Sequence, residues 1–238
     1  MKRNLNIDYK KYSLNQYKKT YDSTTELIKF IAKYINLDKK NIIDLACGGG
    51  ANTIFLAKKF RKSNFLGADL SKDLIKIAKK KLKEFPEINN CDFTIKNWIN
   101  IHREKDKFDG IISFQSLSYA SYPYEKLLKN LKKKNFNFLA FSSLFYNGKC
   151  EYNIYIDDFS KMAKKGTSLY TVISTYKIKK ILKKNGYRNF KYIPFKINID
   201  LKKPKHSGMQ SYTLKLKNNK RIIFSGGLHI PYGFILAY

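Results

Sequence analysis

A short apolar run, Asn41-Ile42-Ile43, leads through Asp44-Leu45-Ala46-Cys47 into three consecutive glycines, Gly48-Gly49-Gly50, and then into a helical pattern over 51–60. Few local arrangements suit that order. A buried strand ends where the glycines begin, because consecutive glycines let the backbone turn sharply and let a ligand approach with no Cβ in the way. The same strand pattern returns in Phe65-Leu66-Gly67-Ala68, which ends in Asp69 with a helix beginning near Ser71. A carboxylate at the tip of a neighbouring strand suits a ribose diol, since it accepts from both hydroxyls.

Strand and helix patterns alternate well beyond this start. Strands are predicted near 41–46, 64–68, 91–96, 108–113 and 136–142, and helices near 51–60, 71–84 and 123–133. Such alternation implies a parallel sheet with helices on both faces and a ligand beyond the carboxyl ends of the strands. Upstream, Ser23-Thr24-Thr25-Glu26 has capping-box spacing before an amphipathic run from Leu27 to Ile35. After Ser142 the alternation stops, and residues 143–171 show no clear period, which suggests an inserted lid or acceptor loop. A helix over 174–185 with a Gly186 stop, a strand over 188–200, a hairpin of 211–217 and 220–225 and a last strand over 232–238 complete the pattern.

The order Asp44-Leu45-Ala46-Cys47-Gly48-Gly49-Gly50, then strand-Asp69-Leu70-Ser71-helix, resembles the first two motifs of class I S-adenosylmethionine-dependent methyltransferases. A dinucleotide fingerprint fits less well, because Thr53 stands where its third glycine belongs. The resemblance implies S-adenosylmethionine as cofactor and S-adenosylhomocysteine as product. It puts Asp44, Ala46, Cys47, Gly48 and Gly50 at the methionine end and Asp69 with Leu70 at the ribose. Asn97-Trp98 occupies the place where the family often has a side chain facing the adenine, and Trp98 stacks there or packs in the core. Phe108 to Leu117 looks like the family's fourth motif, with Phe114, Gln115, Ser116 and Tyr119 on the cofactor or acceptor side.

The fold expected from the resemblance is α/β, a Rossmann-like doubly wound, mostly parallel seven-stranded sheet. It carries an N-terminal helical cap over 1–40, a cofactor-binding core over 41–142, a lid or acceptor insertion over 143–171 and a C-terminal part with a β-hairpin over 172–238. The 238 residues suit one domain. Short patterns in the last third, including Pro204, Gly208-Met209 and Pro231-Tyr232, also resemble a bacterial subgroup that lies among surface-polysaccharide pathways.

The net charge of +30 comes from 48 Lys and Arg against 18 Asp and Glu. Coding bias toward Lys and Asn accounts for part of it, but would raise Glu as well; a basic surface favours anionic partners. Methyl transfer to an anionic small molecule is therefore expected, through O-methylation of a phosphorylated or nucleotide-linked sugar or a phosphoramidate intermediate in capsule or surface-glycan assembly. Two alternatives stand beside it, an RNA methyltransferase and a non-catalytic adenosyl-ligand-binding module. Ser113-Phe114-Gln115-Ser116 replaces the Asn/Asp-Pro-Pro-Tyr element of amino-methylating nucleic-acid enzymes.

His206 and His229 are candidate bases, with Tyr119 as a third catalytic candidate, and an acceptor that is already anionic needs no base. Cys47 reads as a small packing residue in the turn rather than a nucleophile. The three scattered cysteines and three histidines show no metal-ligand spacing, so no metal is expected. Unclustered cysteines, and no apolar stretch over Met1–Asp8, point to a cytoplasmic protein without a membrane span. Oligomeric state is not legible.

Overall fold

A computed structural model describes residues 9–103, 107–118, 124–133, 135–159, 167–205 and 208–238. Alternating elements build its amino-terminal half: β1 (Asn41–Leu45), α3 (Ala51–Lys59), β2 (Asn64–Asp69), α4 (Lys72–Leu82), β3 (Cys91–Ile95), a 3₁₀ helix (Trp98–Arg103), β4 (Gly110–Phe114), α5 (Tyr124–Leu131) and β5 (Phe138–Tyr146). Two helices precede them, α1 (Tyr9–Lys18) and α2 (Asp22–Ala32). Downstream come β6 (Tyr152–Asp157), β7 (Thr167–Ser174), α6 (Thr175–Lys184), β8 (Phe190–Pro194), β9 (Ser211–Lys215), β10 (Arg221–Ser225), β11 (Leu228–His229) and β12 (Tyr232–Ala237).

The central path of the main sheet runs β3-β2-β1-β4-β5-β12-β8. Its first five strands are parallel, and β12 lies antiparallel to both β5 and β8. The expected Rossmann-like α/β sheet is thus present, with β6 and β7 joined to it through β5 and a separate sheet of β11-β10-β9 beside it. One face is covered by α2 and α3, whose Leu27, Ile31, Leu56 and Ala57 pack on Ile42, Ile112 and Phe234. The other is covered by the 3₁₀ helix, α5 and α6, with Ile101, Leu127, Leu128, Ile178 and Leu182 on Ile43, Ile111 and Phe141. Strands buried on both faces read as continuous apolar runs, which is why Phe138 to Phe141 carries no alternation.

Several local readings change. Ser23 to Glu26 lie inside α2, which starts at Asp22 with no side-chain cap, so the spacing does not form a capping box. Glu26 instead pairs with Lys29 at 2.8 Å. The strand expected over 188–200 spans only Phe190–Pro194, since its pairing with β12 ends there. Part of the aperiodic stretch after Ser142 is ordered: β5 continues to Tyr146 along β12, and β6 pairs with β7 as an antiparallel ribbon. Tyrosines on both sides of that ribbon hid its alternation, because an amphipathic ring serves on either face. The glycine stop is present, with Gly186 at φ +100° and its N–H donating to the Lys183 carbonyl at 3.0 Å.

Candidate functional site

Four adjacent strands deliver their carboxyl ends to one edge of the sheet. Past the end of β1, Ala46 (φ +58°), Gly48 (φ +57°) and Gly50 (φ +86°) reverse the chain into α3. Past β4, Gln115 sits at φ +55°. Left-handed alanine and glutamine each cost of order 1–2 kcal/mol, and two such residues on neighbouring strand ends mark a backbone shaped for a ligand. Gln115 is held there by its N–H, which donates to both Oγ (3.0 Å) and O (2.9 Å) of Ser142 on β5. Its side chain donates to Ser23 of α2 at 3.4 Å.

Asp44 is the central charge. It is fully buried, and only Oδ2 has a partner, the Thr53 hydroxyl at 2.7 Å. Its Oδ1 is buried with no hydrogen-bond partner among the described residues. Burial pushes its carboxyl up to about 7, the Thr53 bond works against this, and the nearby Asp69 charge adds to it. An orphaned oxygen on a reluctant carboxylate is costly unless a cation or a strong donor completes it.

Asp69, at the tip of β2, accepts from the Gly48 N–H at 3.0 Å through Oδ2 and from the Ser71 N–H at 2.9 Å through Oδ1. The bonds fix the carboxylate against the glycine turn and leave each oxygen a second lone pair. Leu70 beside it is 40% exposed. Asn97 caps the 3₁₀ helix, its Oδ1 accepting from the Ile99 N–H at 3.0 Å, one strand further along. Trp98 lies in the core with Leu45, Ala68 and Ile101. Phe114 packs against the α2–α3 side.

The glycines divide their work. Around Gly48 a Cβ would meet nothing within 4 Å, whereas at Gly50 it would lie 2.6 Å from the Phe93 ring and 2.7 Å from Ala78. Gly50 therefore serves packing and Gly48 borders open space. Gly50→Ala should lower stability by about 1–3 kcal/mol from overcrowding alone, read as a drop in melting temperature. Gly48→Val should lose the ligand, as read by calorimetry, and also melt lower, because φ +57° strains a β-branched residue even with open space around it. Cys47 is buried, and burial first, then the Asp44 and Asp69 charges, holds its thiol well above the usual range. A thiol so held does not act as a nucleophile.

Asp44, Ala46, Cys47, Gly48, Gly50, Asp69, Leu70, Asn97, Phe114 and Gln115 thus gather around the carboxyl ends of β1 to β4. Ser116 lies beside them, its hydroxyl bonded to Ser113, which in turn donates to the Leu45 carbonyl. His229 does not join them; it is exposed on β11 in the small sheet, against the Phe224 ring. Tyr119 and His206 lie outside the described residues.

Other contacts were not legible from spacing. The Tyr17 hydroxyl of α1 donates to the Gly49 carbonyl, and Thr24 of α2 donates to Asn52 of α3 at 2.9 Å. Both seat the amino-terminal helices on the glycine turn; the tyrosine-rich start was the only hint. Nearby, Lys177 of α6 bridges Glu125 of α5 (2.6 Å) and Glu151 before β6 (2.5 Å), and the Tyr124 hydroxyl donates to Glu151 at 2.6 Å. This network ties the ribbon to the α5–α6 face. Among the described residues no group of His, Cys, Asp or Glu could hold a metal ion, and no helix is long and apolar enough to cross a membrane.

Residues 42–134 match the family of methyltransferase domains. A malonyl-[acyl-carrier protein] O-methyltransferase from Priestia megaterium is 31% identical over 136 residues, which cover 54% of this chain and 49% of that protein. The chain spans about half the length, or less, of the curated relatives it matches. Among solved structures, an S-adenosylmethionine-dependent methyltransferase from Clostridium acetobutylicum superposes with a TM-score of 0.56 at 18% identity, covering 97% of this chain and 99% of that one. Another from Methanosarcina mazei gives a TM-score of 0.57 at 16% identity, over 87% of this chain and 95% of that one. The chain shares their mixed α/β fold, with its mainly parallel central sheet.

Proposed function

We propose that the chain is an S-adenosylmethionine-dependent methyltransferase that returns S-adenosylhomocysteine, with an anionic small molecule as acceptor. The observation that carries this reading is the unpartnered, buried Oδ1 of Asp44 behind an open glycine turn, with Asp69 on the adjacent strand. Those residues fit the cofactor: a carboxylate lacking a cationic partner faces the methionine end, and a preoriented carboxylate faces the ribose. Asn97 would meet the adenine, and Gln115 with Phe114 would line the side from which the acceptor enters.

When bound, the cofactor supplies a methyl group carried on a positively charged sulfur. The chain's own part is to bind, orient and exclude water. Asp44 is held rigid by Thr53 and the turn is held by Tyr17 and Asp69, so little ordering remains when a ligand arrives. A phosphate, phosphoramidate or carboxylate oxygen is already a charged nucleophile, which the surplus of lysines attracts and which requires no base. This favours O-methylation, and fits a nucleotide-linked sugar intermediate of surface-glycan assembly. The ribbon β6–β7 would cover the acceptor. The three free cysteines suit the reducing cytoplasm.

Transfer of a labelled methyl group from S-adenosylmethionine into a host-cell extract, separated into small molecules, RNA and protein, tests the reading. Label in the small anionic pool is expected. Label confined to RNA or protein would replace the proposed acceptor, and cofactor binding without transfer would favour a binding module.

A further inference from the structure

The two faces of the sheet carry different charge patterns. On the α2–α4 side lysines mix with acids, as in Lys29–Glu26 at 2.8 Å and Lys81–Glu84 at 2.9 Å, with Asp73 also on α4. On the α5–α6 side the segments 126–150 and 159–199 contain no Asp or Glu, and the acids at the margins of the first, Glu125 and Glu151, are both held by Lys177. Coding bias toward lysine adds cations everywhere, but it does not by itself leave the two helices of one face with only two acidic partners among the described residues, both spent on a single lysine.

Helical spacing puts these cations into stripes. With Leu127, Leu128, Ile178 and Leu182 turned into the core, α5 and its end expose Lys126, Lys129, Lys132 and Lys133, and α6 exposes Lys179, Lys180, Lys183 and Lys184. None of the eight has an acidic partner among the described residues. Like charges at i,i+4 on one helix repel by about 0.2–0.5 kcal/mol per pair, a penalty that a polyanion would relieve. Where the two helices end, a cleft of ≈ 270 Å³ opens, lined by Lys132, Arg188, Asn135, Asn137, Asn189 and Tyr187. The Asn137 amide already donates to Asp109 at the cleft's margin (3.3 Å), and the Asn135 and Asn189 amides offer donors and acceptors together, which suits base edges more than a lipid surface. The exposed residues of α6 besides its lysines come down to Tyr176, at 51%, so the face lacks the apolar anchors of a membrane-binding helix.

We propose that the α5–α6 face binds single-stranded RNA, with phosphates along the lysine stripes and a nucleotide in the cleft. The cleft lies at the amino ends of β5 and β8, the pole away from the glycine turn. RNA docked there leaves the carboxyl ends of the strands open. RNA binding at this face does not depend on methyl transfer.

Fluorescence anisotropy with a labelled mixed-sequence RNA of about 20 nucleotides tests it, at several salt concentrations around the physiological value. One variant combines Lys129→Glu, Lys132→Glu, Lys183→Glu and Arg188→Glu. Its control makes the same charge change on the opposite face with Lys62→Glu, Lys76→Glu, Lys79→Glu and Lys80→Glu. Circular dichroism and S-adenosylhomocysteine affinity should match the wild type in both, which separates a folding defect from a lost surface. The first variant should lose at least about tenfold in RNA affinity at physiological salt, with the salt slope shallower by roughly three, while the control keeps most of both. Equal losses in the two variants would overturn the proposal, as would no RNA binding at physiological salt. Binding to phosphatidylglycerol vesicles in preference to RNA would overturn it in favour of a membrane.

Discussion

Asp44→Asn is expected to melt a few degrees higher than the wild type at pH 8 and to bind S-adenosylmethionine about ten- to hundredfold more weakly. The two effects share one cause. Burial raises the Asp44 carboxyl from its ordinary value near 3.8 to about 7, so the empty fold disfavours the charged form. For an acid raised in this way, stability is fully present below the unfolded value and is lost as pH rises through the folded one. A rise from near 3.8 to about 7 is worth on the order of 4 kcal/mol above pH 7. The asparagine avoids that cost but buries an amide with unpaired N–H donors, which takes back about 1–3 kcal/mol. The remainder amounts to several degrees in a chain of this size. At pH 5 the wild-type carboxyl is protonated and the two proteins should melt much closer together. The affinity loss has the opposite sign because a bound cation needs the carboxylate. Thermal melts at the two pH values with and without ligand check both halves; a variant that melts lower and binds normally would remove Asp44 from the site.

Asp69→Ala is expected to weaken the cofactor by about 1–3 kcal/mol, or roughly ten- to hundredfold, since the ribose hydroxyls lose a charged acceptor. It also removes the partner of two backbone N–H groups, Gly48 and Ser71, so the glycine turn loosens and the empty protein melts lower. Asp69→Asn separates these contributions. Its amide oxygen can keep one of the backbone bonds while the charge is gone, so stability should recover further than affinity. Equal recovery of both would mean that Asp69 acts only by holding the turn.

The glycine-turn and strand-end motifs are local, and locality makes them legible in the sequence. The glycine turn, Asp69 and the helices after each strand depend on neighbours within a few residues, and the structure places them at one sheet edge. Contacts made across long stretches of chain were not legible. Tyr17 meets Gly49 thirty-two residues away, and Lys177 meets Glu125 at a separation of fifty-two. The continuation of β5 to Tyr146 depends on β12, which returns from the far end of the chain to pair with it. In the sequence Thr53 stands only where a dinucleotide motif would have its third glycine, yet its hydroxyl holds Asp44, a role that no period or spacing announces. His229 shows the reverse case: flanking apolar residues suggest burial, but a two-residue strand in a small sheet leaves it exposed.

Calorimetric titration of S-adenosylhomocysteine into the wild-type protein shows whether the glycine turn and Asp69 hold an adenosyl ligand. Saturable binding at one site per chain is expected, weakened about ten- to hundredfold in Asp69→Ala. No heat of binding, together with an unchanged melting temperature at millimolar ligand, would contradict such a site.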